Sequence, residues 1–67
     1  MRFYANKQKE KNGEHEIHTG TCLFLPQNEN RIDLGEYNSC IKAIDKAKEH
    51  FKKVNGCVFC SNICHEK

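Results

Sequence analysis

Five cysteines and four histidines fall within 67 residues, and most of them sit in two clusters. One is His18-x-x-x-Cys22; the other is Cys57-x-x-Cys60-x-x-x-Cys64-His65. Thiolate sulfur and imidazole nitrogen are the donors that tetrahedral zinc takes in structural sites. Cys-x-x-Cys suits this chemistry because one tight turn aims both sulfurs at a point about 2.3 Å away. His18 and Cys22 bracket a second turn, Thr19-Gly20-Thr21, and can supply the other half. The expected site is therefore one structural zinc ion on His18, Cys22, Cys57 and Cys60. Cys64 and His65 are alternates, because a helical tail would put Cys64 one turn from Cys60. Such an ion would close a loop of roughly half the chain, and its binding, ~10–16 kcal/mol in small zinc fingers, would serve as folding energy.

Each of these residues also has a plainer reading. Cys57 and Cys60 can be a reduced redox pair or a disulfide. Cys22 can be a small buried hydrophobe beside Leu23, and His18 a surface strand histidine. Cys40 falls on an apolar helical stripe, where an inert buried thiol is expected. His15 shares a strand face with Ile17 and reads as a packed, hydrogen-bonded imidazole. His50 reads as a favourable partial cation near a helix C-terminus. An iron–sulfur cluster on Cys57, Cys60 and Cys64 with Cys22 or Cys40 competes, but the spacing departs from the bacterial ferredoxin run and its following proline.

Composition leads to the expectation of a covalent or metal staple. Apolar residues are 37% of the chain, tryptophan is absent, and mean hydropathy is −0.83. A single core in a chain this short rarely supplies more than ~3–5 kcal/mol. The 67 residues are expected to form one domain, 1–67, and a monomer. The net charge of +2 is mixed along the chain, without the basic footprint of a dedicated nucleic-acid binder. No apolar leader follows Met1, and no run reaches the roughly 20 apolar residues of a membrane span. A cytoplasmic chain with reduced thiols is expected, where cysteine clusters read as metal-binding before they read as disulfides.

The elements that position the ligands follow from pattern. Arg2 to Lys9 and Glu14 to Thr19 read as a hairpin joined through Asn12-Gly13, a pair suited to a type I′ turn. Alternation sends His15 and Ile17 one way and Glu14, Glu16 and His18 the other. Cys22-Leu23-Phe24-Leu25 is a short apolar run expected to be buried and stopped by Pro26. Arg31 to Leu34 is expected as a last short strand that Gly35 breaks. Cys40, Ile44, Ala47, Phe51 and Val54 recur at spacings of four and three, which predicts one helix over about 39–54. Asn38 or Ser39 would cap it, and Asn55-Gly56 would end it. The expected fold class is α+β: a small antiparallel sheet, the N-terminal hairpin plus one or two short strands, packed on one helix and stapled by metal.

Three motifs together, Asn12-Gly13-x-His15-Glu16-Ile17-His18-x-x-x-Cys22, Leu34-Gly35-x-Tyr37 and Asn55-Gly56-Cys57-x-x-Cys60-x-x-x-Cys64-His65, resemble a group of small bacterial proteins without an assigned role. More remotely, His18, Cys22, Cys57 and Cys60 resemble the ligand order of the N-terminal metal-binding domain of the Ada DNA-repair protein. That likeness implies a small sheet and helix around one zinc. It does not carry Ada's chemistry, because His18 stands where that family has its methyl-accepting cysteine.

The functional expectation is a non-enzymatic, zinc-stabilised module that binds another protein. One alternative is nucleic-acid binding, through Lys7, Lys9 and Lys11 on the hairpin arm and Lys42, Lys46 and Lys53 on the helix, with Phe3 and Tyr4 stacking on bases. Another is a thiol redox protein that uses Cys40 and Cys64 and carries disulfides instead of metal.

Overall fold

A computed structural model describes residues 1–66. Its strands are β1 (Arg2–Asn6), β2 (His15–Thr19), β3 (Arg31–Glu36) and β4 (Val54–Gly56), with one helix, α1 (Cys40–Ala47). Short 3₁₀ turns lie at Asn28–Asn30 and Asn62–Cys64. The strands form one sheet in the order β3-β1-β2-β4. β1 is antiparallel to β2 and to β3, whereas β4 runs parallel to β2. The class is α+β as expected, but the sheet is mixed, not purely antiparallel.

Alternation builds the core. Phe3 and Ala5 of β1, Ile17 of β2 and Leu34 of β3 face α1 and are buried with Cys40, Ala43 and Ala47. Ala5, Ala43 and Ala47 are fully buried. These small side chains let the helix lie close to the sheet, but they bury little apolar area each. The core is as thin as the composition implies.

The β1–β2 hairpin forms, but not through a type I′ turn. Only Gly13 has positive φ, at 88°, while Asn12 instead accepts a hydrogen bond from the Glu14 N–H on its side chain. The connection spans residues 7–14 and is closed by Gly13 N–H to Glu10 O and Glu10 N–H to Glu14 O. Gly35 does not break β3. It takes φ 104° inside the strand, where the register against β1 shifts between Phe3 and Tyr4. That bulge absorbs one extra residue, and Leu34 is buried beside it.

The helix is half the expected length. It stops at Ala47, one more turn is held by Phe51 N–H to Ala47 O, and the chain then enters β4. The stripe through Phe51 and Val54 continues, but its members leave the helix for other partners. Phe51 stacks on His15 with centroids 3.7 Å apart, and Val54 pairs with His15 in the β2–β4 ladder. Asn55-Gly56 is consequently part of β4 and not a helix terminator. Gly56 is needed for space, since a Cβ there would sit 2.7 Å from Ser61 O and 2.8 Å from Cys64 Cβ. The run Leu23-Phe24 is not buried either: Leu23 is 96% exposed and Phe24 57%.

Candidate metal centre

Parallel pairing of β2 with β4 sets the site. Ile17 pairs with Gly56, and Cys57 N–H donates to Ile17 O, so the next residues along the two strands, His18 and Cys57, end side by side. Alternation puts His18 on the sheet face away from α1. Two turns cover it there. After β2 the chain bends so that Cys22 N–H donates to Thr19 O; after β4 it bends so that Ser61 N–H donates to Cys57 O. His18 and Cys57 are 1% and 2% exposed beneath these turns, and Cys22 and Cys60 are half-buried.

The donor atoms of His18, Cys22, Cys57 and Cys60 all lie within 4.8 Å of one another. Cys22 Sγ is 3.9 Å from Cys57 Sγ, and Cys60 Sγ is 3.9 Å from His18 Nδ1. A tetrahedron with metal–sulfur bonds of about 2.3 Å has sulfur–sulfur edges of roughly 3.8 Å. The group can therefore hold one metal ion with little rearrangement.

The surroundings support that arrangement. His18 Nε2 is 3.3 Å from Glu16 Oε1, which turns Nδ1 toward the sulfurs. A carboxylate on the far imidazole nitrogen is the usual way to fix the tautomer of a metal-binding histidine. Thr19 N–H donates to Cys60 Sγ at 3.3 Å, and Phe24 N–H donates to Cys22 Sγ at 3.4 Å. The Ser61 hydroxyl lies 3.7 Å from Cys60 Sγ. N–H groups aimed at sulfur stabilise thiolate.

Without metal, His18, Cys22, Cys60 and Glu16 are tuned differently. Burial lowers the His18 pKa below the ordinary histidine value, with a smaller opposing pull from Glu10. Burial pushes the Cys22 thiol up to about 12. At Cys60 burial also raises the pKa, but the Thr19 N–H and the thiol and hydroxyl neighbours together outweigh it, and the net shift is downward. Glu16 is raised, by burial first and then by Glu10. The surroundings of Cys60 thus favour its thiolate, whereas burial disfavours that of Cys22.

The alternates are engaged elsewhere. Cys64 forms a disulfide with Cys40, Cα–Cα 6.2 Å, joining the start of α1 to the turn after Cys60. Cys40 is therefore not an inert thiol, and Cys64 is not among the clustered donors. His65 Nδ1 is 2.9 Å from Gly56 O, a contact that holds the tail against β4. His15 is packed as expected, with Nδ1 2.8 Å from Asn6 O. Spacing could not reveal the disulfide, because its partners are 24 residues apart and meet only through packing.

Of the lysines named for a nucleic-acid face, Lys9 and Lys53 line one hollow with Lys52, His15 and His50. The aromatic half of that expectation fails: Phe3 is 2% exposed, and Tyr4 lies under the Arg31 guanidinium at 4.6 Å. Among the described residues, no helix is long and apolar enough to cross a membrane.

In comparisons with known proteins, the chain matches no family model, no curated protein and no solved structure at a significant level.

Proposed function

We propose that this chain is a zinc-stabilised binding module that engages another protein and performs no reaction of its own. One observation carries the reading: four soft donors converge beneath two turns, while the apolar side chains of those same turns face solvent. Three thiolates and one imidazole fill a tetrahedron and leave no position for water or substrate, which is the pattern of a structural ion. Sulfur-rich donors favour zinc over calcium, magnesium or manganese. Leu23, Phe24, Val58 and Phe59 are exposed on the ligand-bearing turns, together with Ile63, Ile41 and Met1. Phe59 lines hollows on two sides, one shared with Phe24 and Val58, the other with Met1, Ile41 and Ile63. An apolar strip of this kind on so small a protein marks an interaction surface.

From the likeness to Ada the reading keeps the metal staple and leaves out methyl transfer. It places the protein in the cytoplasm, with the Cys40–Cys64 bond as the feature that favours a more oxidising setting. Native mass spectrometry of the untagged protein tests the metal directly. One zinc per chain, lost to chelator together with the folded charge-state distribution, is the expected result. A metal-free folded protein indifferent to chelator contradicts it.

Two other readings each have one supporting observation. The hollow lined by Lys9, Lys52 and Lys53 favours contact with phosphates, which would show as binding that weakens steeply with salt. The Cys40–Cys64 disulfide beside three free thiols favours thiol exchange, which would show as rapid alkylation of Cys60 near neutral pH.

A further inference from the structure

The partner's chemistry can be read from the hollow directly above the metal centre. This cavity of about 340 Å³ is lined by His18 and Cys57, by the carboxylates Glu10 and Glu16, and by the apolar Phe24, Val58 and Phe59. The two phenylalanine rings stack on each other, centroids 4.8 Å apart and 28° between planes, although each is more than half exposed. They come from different turns, Phe24 from the turn after β2 and Phe59 from the turn after β4, so the metal ligands hold the pair together. Among the described residues, no lysine or arginine pairs with Glu10 or Glu16; the one charge contact there is Glu16 to His18.

We infer that this hollow receives a lysine or arginine side chain from a protein segment whose neighbouring apolar residue lies on Phe24, Val58 and Phe59. The inference rests on the binding-module reading and names its partner class. Glu10, which has no charge partner among the described residues, and Glu16, shared with His18, beside exposed rings offer a cation both charge and an aromatic face. The same carboxylates repel phosphate, which sets this face apart from the lysine-lined hollow. Apolar contact supplies affinity and the carboxylates select the charge.

The test is NMR on the full ¹⁵N-labelled, zinc-loaded chain, titrated with synthetic hexapeptides. One carries Arg or Lys flanked by Leu and Phe, a second carries Gln in place of the cation, and a short single-stranded DNA is the third probe. The cationic peptide is expected to shift the amides of Glu10, Glu16, Phe24, Val58 and Phe59. The Gln peptide should bind roughly tenfold more weakly or worse. Glu10→Gln should erase that preference, and Phe59→Ser should weaken both peptides, while zinc stoichiometry and the remaining spectrum stay unchanged. Equal binding of the Gln peptide overturns the cation inference and leaves the binding-module reading intact. Shifts confined to other faces, a DNA preference at this face, concentration-dependent self-association through it, or no shift with any peptide also overturn it. Loss of zinc or fold before any peptide is added would indict the metal reading instead.

Discussion

The residue that ties the site together is His18. It is buried, it faces the sulfurs through Nδ1, and it is held from behind by Glu16. Glu16→Ala should leave the fold and the three thiols in place but free the ring. We expect zinc affinity to fall about 10- to 100-fold, read by competition with a chromogenic chelator. Burial also gives His18 a pH signature. Its folded pKa lies below its unfolded one, so the unfolded chain binds the extra proton first. The stability that neutral His18 contributes is full above the unfolded value near 6.5 and is lost as pH falls through that value toward the folded one. Urea unfolding of the zinc-loaded protein between pH 7.5 and 5.5 should show a falling midpoint. Zinc affinity should drop over the same range, because protons compete for the imidazole and the thiolates. The pairing of these four donors was legible in residue type and spacing. Glu16 could also have been found, since it shares a strand face with His18 two residues away, but nothing in spacing distinguishes it from a solvated glutamate.

At the scale of elements, β4 matters most. A three-residue strand parallel to β2 carries Cys57 to the end of His18's strand, and Gly56 lets the tail fold back over it. A methyl group at 56 meets backbone and the Cys64 side chain, neither of which can move without dragging the Cys60 turn or the disulfide. Gly56→Ala should therefore cost upwards of about 2 kcal/mol in denaturant unfolding and loosen the metal. The Cys40–Cys64 bond fastens the same tail to α1. Cys64→Ser should lower stability by about 3 kcal/mol, as expected for a loop of this size, yet retain one zinc per chain. Retention separates a structural Cys64 from a ligand. β1, β2 and β3 were legible because alternation marks them, although Gly35 reads as a breaker and instead forms a bulge inside β3. β4 was not: Val54 continues a spacing of three and four that serves a helix or a departing loop equally, and pairing with a distant strand is not a local property. The exposure of Leu23 and Phe24 was hidden for a related reason, since an apolar run reads as core unless a ligand in it anchors the backbone and turns its neighbours outward.

The whole molecule joins a thin core to one disulfide and to a donor cluster able to act as a further, independent fastener. Alanines fill the helix–sheet contact, one disulfide secures the tail on the helix side, and an ion on the four donors would secure it on the opposite face. Removing the ion should then be felt globally, with a cooperative loss of sheet signal in far-ultraviolet circular dichroism once chelator is in excess and its reversal on adding zinc. The fold class was legible in strand alternation and the helical stripe, and the expectation of a staple in length and hydropathy. The second staple was not, because an expected reducing compartment argued against any disulfide and the odd cysteine count suits metal and disulfide together as well as metal alone. The most direct test of the central claim is X-ray absorption at the zinc edge of the loaded protein. The account predicts three sulfurs near 2.3 Å and one imidazole nitrogen near 2.0–2.1 Å. Four sulfurs, a site without imidazole, or a light-atom shell of oxygens would contradict it.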